Sequence, residues 1–348
     1  MADFETIIKD AIAAQEIPGC ALAATSRDGT FTYSKAFGHT SMNPSTAKPM
    51  DLDTIMWVAS CTKLMTALCA MQLVERGHIT LDEPVYSHIP ELEVLNVLTG
   101  FTDAGVPIEE KHTKPITLKL LLTHSSGLTY EGMHPKTLAW LKHHGKKMNA
   151  SPTVVQRFNA PLVFQPGESW AYGPGVDYAG LLVERISGLT LEEYMKKNLW
   201  GPLGITDVTF FPSTRPDLQE RMAEMSGRGE DGKLSVHEGT MPYVDEKGEE
   251  DDATNNAMGG THKHVAKDYA LGGLIMMDDA PDGKKAGTML WGGYPNLIWW
   301  IDRKTGLAGV YAGQVVPPGD LICGRLMRKW EEGCYGLFEK HRESKSKL

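Results

Sequence analysis

The chain is poor in several things, and each shortage narrows what it can be. Cysteine is scarce: five in 348 residues, Cys20, Cys61, Cys69, Cys323 and Cys334, odd in number, scattered and without a C-x-x-C pair. Neither a disulfide framework nor a zinc site follows from that spacing. No apolar run approaches the length that crosses a bilayer. The opening stretch, "MADFETIIKDAIAAQEIPG", carries acids from its third residue and lacks a basic region followed by an apolar one. It reads as an amphipathic helix and not as a secretory leader. Positive charge is also in deficit, with 35 Lys and Arg against 44 Asp and Glu and a net charge of −9, which argues against nucleic acid or an anionic membrane as the main partner. Glycine-rich stretches such as "AYGPGVDYAG" lack the preceding strand of a nucleotide loop, so no cofactor is expected. The expectation is a reduced, soluble, cytoplasmic protein.

What is present is ordinary globular material, 41% hydrophobic and 23% charged, in a chain long enough for one large domain or two. "GCALAATSRDGTFTYSKAFG" reads as two short strands joined at Arg27-Asp28-Gly29. Residues 60 to 200 read as mainly helical, with helical spacing at Leu64, Ala67, Leu68, Met71 and Val74, again in "LKLLLTH" and "AGLLVERISG", and with Gly77 and Gly188 where helix ends belong. From about residue 205 short strands and loops follow, with a hairpin turning at Asp302 to Gly306 and a closing helix over "LICGRLMRKWEEGCYGLFEKH". One sheet assembled from the two chain ends, with a helical lobe inserted between, is the expected architecture. The acidic "DEKGEEDDATNN" (245 to 256) reads as a mobile loop, and the tail "EKHRESKSKL" as frayed.

Chemistry first suggests itself in "ASCTKLMTALCAMQLVERG", residues 59 to 77. Ser60 and Lys63 are three apart, so on a helix they share a face. At a first turn Ser60 would keep its backbone N–H free of intrahelical partners, at the dipole end that favours developing negative charge. A serine hydroxyl needs a base in contact, and Lys63 can serve where burial lowers its proton affinity. The same two residues also read as a helix cap and an ordinary helical lysine, and Ser344 with Lys347 repeats the spacing in the tail. Tyr172, in a Gly/Pro-rich loop before a helix, is either a packing residue or a proton shuttle for such a pair. His124 reads as a buried hydrogen-bonding histidine. His262 with His264, and His143 beside His144, have no carboxylate at ligand spacing, so no metal is assigned. Cys61 reads as filling. Trp291, Tyr294, Trp299 and Trp300 read as core or sheet face, with alternation turning Trp291 toward the site and an apolar acyl pocket.

Taken in order, S-x-x-K, "LLTHSSGL" (121 to 128), "F-x-P-G-x-x-x-x-Y" (164 to 172) and "GPLGITDVTF" (201 to 210) resemble the serine β-lactamase-related family. "ITLKLLLTHSSGL", "YGPGVDYAGLLVERISGL" and "WGGYPNLIWWID" carry the likeness toward its fungal polyketide acyltransferases, over most of the chain. The resemblance implies an α/β (α+β) fold of the β-lactamase/transpeptidase type: an antiparallel sheet flanked by helices, an α/β lobe of residues 1–55 and 205–348, and an inserted helical lobe of 56–204. It implies Ser60 as acylated nucleophile, Lys63 as its proton acceptor and Tyr172 as the base or acid serving attacking and leaving groups. The family's third box matches Trp291-Gly292-Gly293. Lys304-Thr305-Gly306 has the letters of that box but falls in the hairpin turn. The oxyanion site would pair the N–H groups of Ser60 and Tyr294, and Trp291, Gly292, Gly293 and Pro174 would border the substrate. Trp291 in place of a cation removes an anchor for the β-lactam carboxylate and favours esters or thioesters. Two departures stand out: Tyr172-Gly173-Pro174 lacks the usual amide side chain two residues after the tyrosine, and 255–273 is short for the family's lid region. The implied partners are a small-molecule acyl donor, free or on a carrier protein, and an alcohol or water as acceptor. A second subunit filling the short segment, and a repurposed or inactive scaffold, stay open.

Overall fold

The computed structural model describes residues 4–148, 151, 153–237 and 265–346. The 245–256 loop, His262, His264, Lys347 and the first part of the 255–273 segment lie outside the described residues. A seven-stranded sheet forms the spine. Its strands are β1 (Gly19–Ser26), β2 (Thr32–Gly38), β3 (Lys267–Ala270), β4 (Gly273–Met276), β5 (Met289–Gly293), β6 (Leu297–Asp302) and β7 (Leu307–Ala312). The spatial order β2-β1-β7-β6-β5-β4-β3 joins the two chain ends at the β1–β7 pair, and every pairing is antiparallel. The turns follow the sequence. Gly29 and Gly306 take the left-handed conformation in the two hairpins, and the Gly306 N–H closes on the Asp302 carbonyl at 2.8 Å. Lys304-Thr305-Gly306 is therefore turn and not site.

Alternation gives the sheet two faces. Leu22, Ile298, Trp300 and Tyr311 point to one side and pack against α1 (Phe4–Ala13) and a long C-terminal helix, Leu321–Ser346. Trp291 and Trp299, directly opposite one another in register, point to the other. The expectation of a frayed tail fails here. The last helix runs to Ser346, with His341 packed on Phe31 at 5.7 Å and Arg342 lying over Phe338 at 5.9 Å. A second apolar cluster gathers around α2 (Thr62–Glu75) and α3 (Gly175–Ser187), sealed by Leu73, Tyr178, Leu182 and Trp200. Gly77 and Gly188 end these helices with positive φ, as their positions imply. The reading of residues 60–200 as mainly helical misses one hairpin, Asn96–Phe101 with Pro107–Lys111, whose partly exposed strands show little alternation.

Candidate active site

Ser60 does not begin the helix. It occupies a 3-10 turn, Ala59–Cys61, that runs into α2 at Thr62. Ala59 holds a φ of +43°, a conformation that non-glycine residues rarely adopt and that costs on the order of 1–3 kcal/mol. Strain immediately before a serine is the kind of feature that persists where geometry serves chemistry. One turn further, Lys63 Nζ comes to 3.2 Å from Ser60 Oγ. Tyr172, far along the chain, donates its hydroxyl to the same oxygen at 2.8 Å. Where Tyr172 or Lys63 lacks its proton the bond reverses and Ser60 donates.

The surroundings hold these groups still. Lys63 Nζ stands 5.1 Å from the Tyr172 ring centroid and 5.3 Å from that of Tyr130, within cation–π range of both. Tyr130 in turn donates to Asp177 Oδ2 at 2.6 Å. Tyr172 is buried among aromatic rings: His124 at 4.7 Å, Trp291 at 5.2 Å and Tyr130 at 5.4 Å. His124, itself at a positive φ, accepts the Gly173 N–H on Nδ1 at 3.4 Å, and its carbonyl accepts the Ala171 N–H at 3.0 Å. It thereby grips the peptides on both sides of Tyr172. Burial and the nearby Lys63 charge push its pKa well below the ordinary histidine value, so the ring is neutral. Gly173 is obligatory, because a Cβ there would overlap the Leu128 carbonyl and the Thr129 backbone. Burial also drives the Cys61 thiol up to about 12, against a smaller opposing pull from Lys63. It is a packed neighbour and no second nucleophile.

The C-terminal end of β5 closes the other side. A Cβ on Gly293 would come within 2.6 Å of the Val58 carbonyl and 3.4 Å of Cys61 Sγ, so only glycine lets the strand end lie against the Ser60 turn. Tyr294 follows it directly, its ring edge-on to Trp57 at 6.3 Å. Ser60 opens into a cavity of about 290 Å³ whose wall includes Trp57, Lys63, Tyr130, Phe158, Val176, Leu191 and Phe210. The wall is largely apolar, with Lys63 and Arg157 the cations and Asp177 the carboxylate among its lining residues. Trp291, Gly292, Gly293 and Pro174 are not among its lining residues, and neither are Tyr172 and Tyr294. Trp291 stacks behind Tyr172 with Tyr269 and Trp299, and Pro174 caps α3. Tyr269 in that cluster has its hydroxyl pKa raised by burial. The sequence reading missed Tyr130, two residues beyond the "LLTHSSGL" stretch, and Asp177 and Arg157, whose neighbours look like ordinary helix surface. It also missed Gln314, whose side-chain amide binds both the N–H (3.2 Å) and the carbonyl (3.0 Å) of Trp57. Among the described residues no group of three or more His, Cys, Asp and Glu is placed to hold a metal.

Known proteins resemble this chain along almost its whole length. Residues 4–329 fit the family model described as Beta-lactamase. A lovastatin esterase of Penicillium rubens is 36% identical across 91% of this chain and 94% of its own. A monacolin J acid methylbutanoyltransferase of Aspergillus terreus is 32% identical across 97% and 96%. The LovD6 mutant of simvastatin synthase from Aspergillus terreus superposes with a TM-score of 0.86 at 32% identity, covering 97% of this chain and 95% of that one. The chain thus belongs to the beta-lactamase family, and within it is an enzyme of the acyltransferase and esterase kind, not a β-lactamase proper.

Proposed function

We propose that the protein moves an acyl group from an ester or thioester donor to an alcohol, or to water, through an acyl ester on Ser60. What supports this is one cluster: a serine hydroxyl in contact with both a tyrosine (2.8 Å) and a lysine (3.2 Å) at the mouth of an apolar cavity. Ser60 Oγ attacks the acyl carbon and gives its proton to Lys63 or Tyr172. The N–H groups of Ser60 and Tyr294 hold the oxyanion of the tetrahedral intermediate. The leaving alcohol or thiol takes a proton from Tyr172 as the C–O or C–S bond breaks. The acceptor then attacks the acyl carbon as its proton passes to Tyr172; the Ser60 Oγ–C bond breaks, Oγ takes a proton back from Tyr172 or Lys63, and the acylated acceptor departs. The relatives' names point to a side-chain acyl group of a polyketide-type natural product as cargo. A carrier-protein thioester as donor, a homo-oligomeric state, a cytoplasmic location and a division into lobes 1–55 with 205–348 and 56–204 belong to the same proposal. Five cysteines that remain thiols suit a reducing compartment.

Intact mass after treatment with a fluorophosphonate, and with a short acyl thioester, tests the nucleophile. A single adduct absent from Ser60→Ala is expected, and no adduct on the wild-type chain overturns the acyl-enzyme mechanism. Adding an alcohol acceptor to the thioester reaction then separates transfer from hydrolysis by the ratio of products.

A further inference from the structure

We propose that Gln314 and Asn296 are positioning residues that fix the two halves of the oxyanion site to one common piece of backbone, residues 313–320. The proposal rests on the reading of Ser60 and Tyr294 as the oxyanion donors. Gln314 is 2% exposed and sits just beyond β7. Its Oε1 accepts the Trp57 N–H at 3.2 Å, and its Nε2 donates to the carbonyls of Trp57 at 3.0 Å and Gly313 at 2.7 Å. It therefore clasps the residue three before Ser60 from both sides of one peptide position, much as a neighbouring strand would. The Cys61 N–H, bonded to the Val58 carbonyl at 3.0 Å, carries that constraint into the Ser60 turn.

Asn296 does the same for the other half. It lies two residues after Tyr294 with a φ of +56°, and it is 7% exposed. Its Nδ2 donates to Val315 O at 2.7 Å and Pro317 O at 2.8 Å, while its Oδ1 accepts the N–H groups of Gly319 at 3.0 Å and Asp320 at 3.2 Å. The backbone adds Val315 N–H to Pro295 O at 3.3 Å. All the bonding capacity of one buried amide is thus spent on tying the 293–296 turn to the segment that Gln314 begins. Neither side chain lines the cavity. Their effect on catalysis must act through position, where a misplacement of about 1 Å costs on the order of 10²-fold in rate.

Full-length Gln314→Met, Asn296→Gly and the double variant test this. Glycine keeps the positive φ and removes only the side-chain bonds. End-point fluorophosphonate incorporation counts competent sites, and hydrolysis of a p-nitrophenyl butyrate ester gives kcat per site and KM. Each single variant is expected to lose about 10- to 100-fold in kcat with KM held within about twofold. The double variant should fall little below the weaker single, because both act on one frame. Wild-type kcat in either single variant overturns the proposal. So does a multiplicative loss in the double, or a kcat loss that comes with a matching rise in KM. Should Asn296→Gly not fold, Asn296→Asp takes its place: it keeps the two accepting bonds and should lose part of the same kcat at unchanged KM. Absence of any wild-type label on Ser60 would instead sink the acyl-enzyme reading itself, so the two failures are distinct.

Discussion

Tyr172 touches the nucleophile with its hydroxyl while its ring is held by His124, Tyr130 and Trp291. Chemistry and packing are therefore separable at this residue. Tyr172→Phe should lower kcat/KM for an activated ester by about 10²- to 10⁴-fold while leaving the thermal midpoint within a few degrees. Steady-state kinetics beside a melting curve decide it, and a wild-type rate would remove Tyr172 from the proton path. His124 has a pH signature. Its folded-state pKa lies below the ordinary 6.5, so below that pH the unfolded chain takes up a proton that the native ring refuses. Stability is untouched above about pH 6.5 and is lost as the pH falls beneath it. Melts of wild type and His124→Asn between pH 7.5 and pH 5 should diverge, the variant losing its stability less steeply by up to one proton. Parallel curves would mean that the native ring takes up its proton as readily as the unfolded chain does.

Among the elements, the C-terminal helix is tied to the sheet by more than apolar contact. Lys284, on the loop between β4 and β5, is fully buried and ion-paired with Asp282 and, at 2.8 Å, with Glu331 of the helix. A buried cation facing two carboxylates cannot be removed cleanly. Lys284→Met should cost about 3–5 kcal/mol in urea unfolding, since it strands two buried carboxyl groups. A loss under 1 kcal/mol would show that this cation contributes little to holding the helix on the sheet. The helix, the hairpins and the S-x-x-K segment were legible in the sequence because each rests on local periodicity or on turn chemistry. The 3-10 turn at Ser60 was not. It follows Trp57, which is bound on its N–H and its carbonyl by Gln314, a residue remote in the chain.

For the whole molecule, the site is an assembly of parts from the first, middle and last thirds of the chain, brought together because the sheet closes at the β1–β7 pair. An aromatic wall of Tyr172, Tyr269, Trp291 and Trp299 backs this site, and the sequence resemblance implies that Trp291 replaces the cation that would anchor a β-lactam. Turnover of a chromogenic cephalosporin should fall at least about 10³-fold below that of an activated ester in kcat/KM. Comparable rates would show that the carboxylate finds another anchor. The sequence by itself determined the family and the terminal strands and closing helix, and brought forward Ser60, Lys63 and Tyr172 as candidates, because motif spacing and side-chain period are local properties. Only the tertiary structure decided which residues surround them. Tyr130 meets Asp177 and Gln314 meets Trp57 across segments distant in the chain, and Trp291 packs against Tyr172 and is not among the residues lining the cavity. No periodicity encodes such contacts, since they are set by how the helices pack against one another and against the sheet.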